Sequence, residues 1–180
     1  MVLLAGCSLM LLVCMGSCVG FINVWRNPNL KPYQDPDGAF VALFPGEVFP
    51  ISRMDAQGRP LAGVEGKREF PEEQYFIEWL EPEKAALGNP ERSPKMVVDE
   101  WIAKNNASAM ENDPVKSHQG FDAAEAVGQL AFPKGNFAIR AVKVGDRVYV
   151  LGITGTVMPG SEYIDRFFDG FQPKGVKPAD

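Results

Sequence analysis

The sequence has 180 residues, of which 46% are apolar and 23% are charged, and its formal net charge at pH 7 is −5. This length suits one ordinary domain, and the apolar content excludes a disordered acidic chain. A negative net charge also argues against binding to a phosphate backbone, so no nucleic-acid partner is expected.

The first 25 residues are the most apolar part of the chain. Residues 2–25 carry no charged side chain, and Trp25 stands where interfacial aromatics are common, directly before Arg26. About 20 apolar residues are enough to cross the ~30 Å hydrocarbon core of a bilayer. The sequence therefore predicts one N-terminal transmembrane helix over residues 1–25. A cleaved signal segment is the alternative, although the basic n-region of such signals is missing.

All three cysteines, Cys7, Cys14 and Cys18, lie in this segment. Leu4-Ala5-Gly6-Cys7 resembles a bacterial lipobox, whereas Cys18 has better spacing and a poorer box. Cys7 and Cys18 are therefore candidate lipidation sites, with small apolar helix residues as the alternative. The chain from residue 26 onward has no thiol, which excludes disulfides and cysteine-based metal sites there.

Gly16 and Gly20 form a G-x-x-x-G pair, the spacing that lets two membrane helices approach closely. They are candidate helix-packing residues, although such a pair is also frequent by chance. Arg26 and Lys31 follow the apolar segment, and by the positive-inside rule they favour a cytoplasmic domain.

The composition after the apolar segment predicts three further parts. Residues 26–34 contain two prolines and no periodicity, so they are expected to be a linker. Residues 35–172 form the domain, and residues 173–180 form a flexible, proline-containing tail.

Within the domain, short apolar or alternating runs between turn residues predict strands. The strongest pair is a hairpin whose strands are separated by Gly145-Asp146, a loop length that tight hairpins use. Alternation also puts Tyr75, Ile77 and Trp79 on one face of their strand. The predicted strands are 39–44, 48–53, 61–70, 74–81, 136–144 and 147–154.

Two helices are predicted from caps and apolar stripes. Ser93-Pro94 opens the first one, whose stripe is Val97, Val98, Trp101 and Ile102. Ser161 opens the second, with Gly170 as a left-handed terminator and a stripe of Ile164, Phe167, Phe168 and Phe171. Residues 105–119 are expected to be irregular. The sum is an α+β domain in which two or more helices cover an antiparallel sheet.

The polar residues form no catalytic pattern. His118 is the only histidine and is expected in a solvated loop, and carboxylates such as Glu78 and Asp169 are expected on solvated faces. Residues 152–156 resemble a phosphate loop only loosely, because the Gly-Lys-Ser/Thr ending is absent. We therefore predict no catalytic, cofactor-binding or metal-binding residue, and a protein that is not an enzyme. The aromatic side chains are expected in the core.

The order of several segments resembles that of a known family. Those segments are Asp37–Gly46, Tyr75–Trp79, the helix around Trp101, Arg147–Gly152 and Phe167–Phe171. They are similar to the PsbP-like family of small exported bacterial envelope proteins. The resemblance implies an α/β/α sandwich, a location outside the cytoplasm (the periplasm of a bacterium) and a non-catalytic role.

Two functional hypotheses follow. The first is a membrane-anchored, non-catalytic accessory or scaffold subunit of a larger membrane protein complex, whose partners are the bilayer and other membrane protein subunits. The alternative is an envelope lipoprotein or a ligand-binding module with an aromatic-lined pocket.

Overall fold

A computed structural model of the protein describes residues 28–54, 58, 60–80 and 92–176. Ten strands and two helices lie in these ranges. The strands are β1 (Lys31–Gln34), β2 (Phe40–Phe44), β3 (Val48–Met54), β4 (Pro60–Arg68), β5 (Glu73–Leu80), β6 (Ala107–His118), β7 (Phe121–Leu130), β8 (Gly135–Val144), β9 (Arg147–Gly155) and β10 (Gln172–Pro173). The helices are α1 (Pro94–Lys104) and α2 (Glu162–Asp169).

The strands form two antiparallel sheets. The larger has seven strands in the order β3-β4-β5-β9-β8-β7-β6, and the smaller has the order β1-β2-β10. The predicted hairpin of β8 and β9 is confirmed, since Val144 pairs with Arg147 across the turn at Gly145, which has a positive φ of 59°. A positive φ is available to glycine at little steric cost.

The two faces of the seven-stranded sheet pack against different elements. On one face, the small sheet and α2 enclose the main core, which is rich in aromatic rings such as Phe40, Phe44 and Phe167. On the other face, α1 covers a second cluster around Phe76 and Phe137. Buried side chains on both faces explain why β8 and β9 are nearly continuous apolar runs.

The start of α1 is as predicted. The Ser93 hydroxyl accepts a hydrogen bond from the Met96 amide at 3.3 Å, and Pro94 occupies the first turn. Val97 and Val98 are buried against the sheet, so the predicted apolar stripe faces the core.

The predicted fold class, an α+β domain of the α/β/α sandwich type in which two or more helices cover the sheet, is wrong. Among the described residues strands predominate, and the only helices are two short ones of 11 and 8 residues. The difference arises mainly at β6 and β7, because residues 105–119 are expected to be irregular and no element is predicted for 121–130. β6 is a polar edge strand whose register shifts between Ala109 and Glu111. This shift interrupts the alternation of side chains between the two sheet faces, so the sequence shows no clear strand pattern. β7 is rich in alanine, a residue that is depleted in strands.

Several boundaries also differ from the prediction. The last four residues of the expected linker form β1, and Pro173 of the expected tail pairs with Phe40. Gly170 ends α2 with a right-handed φ of −71°, so it is not a left-handed terminator. Instead, it is close to Leu43, whose Cγ would lie 2.6 Å from an added Cβ.

The described residues contain no helix that is long and apolar enough to cross a membrane. The predicted transmembrane segment, residues 1–25, lies outside them, and so do Cys7, Cys14, Gly16, Cys18 and Gly20.

Candidate functional site

A cleft of about 600 Å³ opens at one end of the seven-stranded sheet. It is lined by the adjoining ends of β4, β5, β7, β8 and β9, by parts of the β4–β5 turn (residues 69–72) and of the β7–β8 turn (131–134), and by Thr156. They converge because Gly155 pairs with Glu73 on one side and with Asn136 on the other. We refer to this end of the domain as the cleft end.

The cleft is polar and carries both signs of charge. Its charged lining residues are Lys67, Arg68, Lys134, Glu69, Glu72 and Glu73. Three cationic groups face three acidic groups, so the cleft has no strong preference for an anion or a cation.

Three large apolar side chains at the cleft end are exposed to solvent. Phe70 of the first turn is 59% exposed, Phe132 of the second is 89% exposed, and Met158 of the connection from β9 to α2 is 45% exposed. Each aromatic ring directly precedes a proline, Pro71 or Pro133. The three side chains belong to loops at the same end of the sheet, which makes this end a candidate binding surface.

In the middle of the cleft, the backbone at Gly155 packs closely against the backbone at Glu72. Gly155 has a φ of 120°, and a Cβ there would lie 2.3 Å from the Glu72 carbonyl oxygen. That carbonyl accepts hydrogen bonds from both the amide and the hydroxyl of Thr156. Gly152–Gly155 belong to β9, so the weak resemblance of residues 152–156 to a phosphate loop has no structural counterpart.

In the wall of the cleft, the buried carboxylate of Glu73 accepts three hydrogen bonds. The hydroxyl of Tyr75 donates to Oε2 and that of Tyr163 donates to Oε1, each at 2.8 Å. Arg68 Nη1 donates to Oε2 at 3.2 Å. The cluster joins β4 and β5 to the first turn of α2, which stabilises the wall of the cleft.

Both tyrosine hydroxyls in this cluster stay protonated. Burial raises the pKa of Tyr75, and the neighbouring Glu73 raises it further. Burial also raises the pKa of Tyr163, as does its hydrogen bond to Glu73. The two phenols therefore act as hydrogen-bond donors rather than as bases.

A second buried cluster surrounds His118, which the sequence analysis places in a solvated loop. That prediction is wrong, since His118 ends β6 and is 3% exposed. Its Nε2 lies 2.9 Å from the Phe171 carbonyl oxygen, and its Nδ1 lies 3.3 Å from Arg140 Nη1. Arg140 also donates to Glu125 at 2.7 Å and to Asp169 at 2.8 Å. The cluster fastens the end of α2 to β6, β7 and β8.

A third cluster lies on the same sheet face as α1. Glu78 is buried rather than solvated, and Arg53 Nη1 donates to it at 2.7 Å. Arg53 Nη2 donates to Glu65 at 2.9 Å, and its guanidinium lies over the ring of Phe76. Burial raises the pKa of Glu78, while the charge of Arg53 lowers it. The prediction that Glu78 lies on a solvated face is therefore wrong.

Other candidate residues are placed as follows. The predicted core aromatics Phe40, Phe44, Tyr75, Tyr149, Phe167, Phe168 and Phe171 are buried, and Trp79 and Trp101 are partly buried. Their rings pack against one another, for example Tyr149 and Phe171 at 5.1 Å between centroids. Within the described part of the chain, no group of three or more His, Cys, Asp or Glu is arranged to hold a metal ion.

Comparison with protein families and with curated sequences supplies no relative. No protein-family model matches the chain, and no curated protein matches its sequence. The PsbP-like resemblance therefore stays a prediction as regards family and role.

The cleft end is not among the features predicted from the sequence. Its turns share one signal, a Phe-Pro pair at 70–71 and again at 132–133, each near the end of a strand. Turns between strands lie on the protein surface, so the exposure of Phe70 and Phe132 could have been inferred. That the two turns are neighbours follows only from the strand order, which the sequence does not reveal.

Proposed function

We propose that the protein is a membrane-anchored, non-catalytic accessory subunit of a larger membrane protein complex, with its domain on the extracytoplasmic side. The apolar segment 2–25 supports the membrane location. The main support for a contact with a partner subunit is the edge of β3, which no other described strand covers.

β3 is an edge strand of the seven-stranded sheet, and among the described residues no strand pairs with its other side. Its register with β4 is regular from Val48 to Met54. Phe49 is 52% exposed and Met54 is 57% exposed. A regular edge with exposed apolar side chains is suited to the addition of a strand or loop from another chain, although Pro50 removes one donor from it.

The opposite edge strand, β6, has features that block such contacts. Its register with β7 shifts twice, between Ala109 and Glu111 and between Asp113 and Lys116. It also contains Pro114, which cannot donate to a ladder. Bulges and prolines on an edge prevent unwanted pairing. Each edge strand contains one proline, so the two register shifts of β6 make the difference. Among the described residues, β3 is the edge with a regular register and an unpaired side, which favours a specific partner there.

The buried polar groups have structural partners that account for them without catalysis. Glu73 and Arg140 are each held by two or more side-chain hydrogen bonds, and Glu78 is paired with Arg53. Such arrangements fasten elements together, and buried charges need them whether or not a protein has an activity.

The test uses the full chain in its native membrane, with photoreactive benzoylphenylalanine at position 49. We expect a covalent adduct with one membrane protein. The same protein should migrate with the unmodified chain on a native gel after extraction in mild detergent. Phe49→Lys should release that partner, because a charge would then enter an apolar contact.

The matched control is Met110, which is 65% exposed on the protected edge strand. A probe at position 110 should give no such adduct, and Met110→Lys should leave the complex intact. Migration of the wild-type chain as a lone monomer would contradict the proposal. Identical cross-links from positions 49 and 110 would contradict it as well.

A further inference from the structure

The chain enters the domain at the cleft end. Lys31, the first residue of β1, pairs with Phe44, and a Cβ added at Gly66 would lie 2.9 Å from the Phe44 ring. Gly66 is two residues before the end of β4 and its turn to β5. β1 runs away from this turn, because its last residue, Gln34, pairs with Val41, next to Phe40, whose ring packs on Trp79 near the far end of β5. The residues before Lys31 therefore lie toward the cleft end.

The tether between the predicted anchor and the domain is short. The apolar segment ends at Trp25, and the described chain begins at Pro28. The three residue steps from Trp25 to Pro28 cover at most about 10 Å, since an extended chain advances ~3.3–3.6 Å per residue. Leu30 is already packed in the main core. A retained anchor therefore keeps Pro28 within about 10 Å of Trp25, which places this end of the domain, rather than the opposite one, toward the membrane.

The side chains at this end suit a lipid interface. Phe70, Phe132 and Met158 come from three separate loops, and all three are exposed. Apolar side chains gain free energy when they leave water for the boundary between headgroups and acyl chains. The charged groups of the cleft are balanced between the two signs, so attraction to anionic lipid is not the driving force.

We infer that the cleft end faces the bilayer and that Phe70, Phe132 and Met158 enter its interfacial region. This inference rests on the proposed function, because it requires the retained anchor. The inference also gives the orientation of the domain on the membrane. The β3 edge then lies beside the membrane-facing loops, where the outer part of a neighbouring membrane protein would lie.

The test uses the full chain reconstituted into phosphatidylcholine vesicles, with benzoylphenylalanine at position 132. We expect a phospholipid adduct after illumination, detected as a mass increase of the chain. The yield should not fall when the salt concentration is raised, because the contact is apolar. The high exposure of Phe132 lets the probe replace it without loss of packing.

The matched control is a probe at Met54, an exposed apolar residue at the other end of the β3–β4 pair. No lipid adduct is expected there. Vesicle-bound chain with no adduct at position 132, or with equal adducts at 132 and 54, would overturn the inference. In native membranes, a protein adduct at 132 in place of lipid would overturn it too and would assign the cleft end to a partner protein.

The two proposals fail in different ways. A chain that does not float with the vesicles has no working anchor, which contradicts both. A lipid adduct at position 132 without a partner at position 49 removes only the accessory-subunit role.

Discussion

Arg140 Nη1 lies 3.3 Å from Nδ1 of His118, and this contact decides the tautomer of the buried imidazole. A guanidinium only donates, so Nδ1 accepts and Nε2 carries the hydrogen. That hydrogen is donated to the Phe171 carbonyl at 2.9 Å. The neutral ring thus links the end of β6 to the residue that follows α2.

The first prediction concerns pH. Burial lowers the pKa of His118 below the ordinary value of 6.5, and the charge of Arg140 lowers it further, although the bond to Phe171 and the charge of Asp169 oppose this. The unfolded chain then binds more protons than the folded chain as the pH drops below about 6.5. We expect the contribution of His118 to the free energy of unfolding to be complete above that pH and to decrease below it.

Urea unfolding at about pH 7.5 and about pH 5.5 measures this decrease. His118→Gln is the control, since its amide retains a donor for Phe171 but does not titrate. The wild-type chain should lose more stability than the variant between the two conditions. Equal losses would mean that His118 does not cause the pH dependence.

The second prediction concerns α2. The ring of Phe168 is fully buried, and the Arg140 guanidinium carbon lies 4.6 Å from its centroid. Phe168→Ala should lower the free energy of unfolding by about 3–5 kcal/mol, the usual range for a buried phenylalanine. Asp169→Ala should cost about 1 kcal/mol at most, because the aspartate side chain is 68% exposed and Glu125 still pairs with Arg140. Similar losses in both variants, measured in urea, would show that the helix is not held by its aromatic face.

The third prediction concerns Glu73. Glu73→Gln removes a buried charge that Arg68 and two tyrosines share, so it should cost about 3–5 kcal/mol. Tyr163→Phe should cost only about 1–2 kcal/mol, because the carboxylate keeps its other donors. The double variant should lose less than the sum of the two, since both changes act on one network. Additive losses in urea unfolding would mean that Tyr163 and Glu73 are not coupled.

The fourth prediction concerns close packing in β9. A Cβ at Gly152 would lie 2.1 Å from Cζ of Phe76, whose ring stacks on Trp101 at 6.1 Å. Gly152→Ala should therefore cost about 3 kcal/mol or more, and adding Phe76→Leu should recover part of it. Gly145→Ala is the control, because that site has open space and a positive φ, and should cost about 1 kcal/mol. Thermal unfolding in which Gly152→Ala is the milder change would contradict this packing.

The fifth prediction concerns the start of the domain. A fragment of residues 28–176 should fold without metal or disulfide, and its melting temperature should not respond to a chelator or a reductant. A fragment of residues 35–176 lacks β1 and the buried Leu30, so it should be less stable by about 2–4 kcal/mol. Equal stability of the two fragments would mean that β1 adds nothing to the core.

Local patterns in the sequence determined those elements whose signals lie within a few residues. The hairpin of β8 and β9 needs only two apolar runs and the turn at Gly145, and α1 needs Ser93, Pro94 and one stripe. The alternation of β5 also predicted the opposite placement of Tyr75 and Phe76, which pack in separate cores. Periods of 2 and 3.6 residues, caps and turns are properties of short segments, so they can be read without a partner.

Tertiary structure alone decided the rest. β6 is a strand because it pairs with β7, and its irregular register leaves little alternation to detect. His118 can be buried because Arg140 donates a hydrogen bond to its ring, and Glu78 can be buried because Arg53 pairs with its charge; both arginines are distant in sequence from their partners. The cleft end exists because Gly155 joins two strands that begin 62 positions apart, at Glu73 and Gly135. Such pairings depend on the strand order of the whole sheet, and no local window of the sequence contains that order.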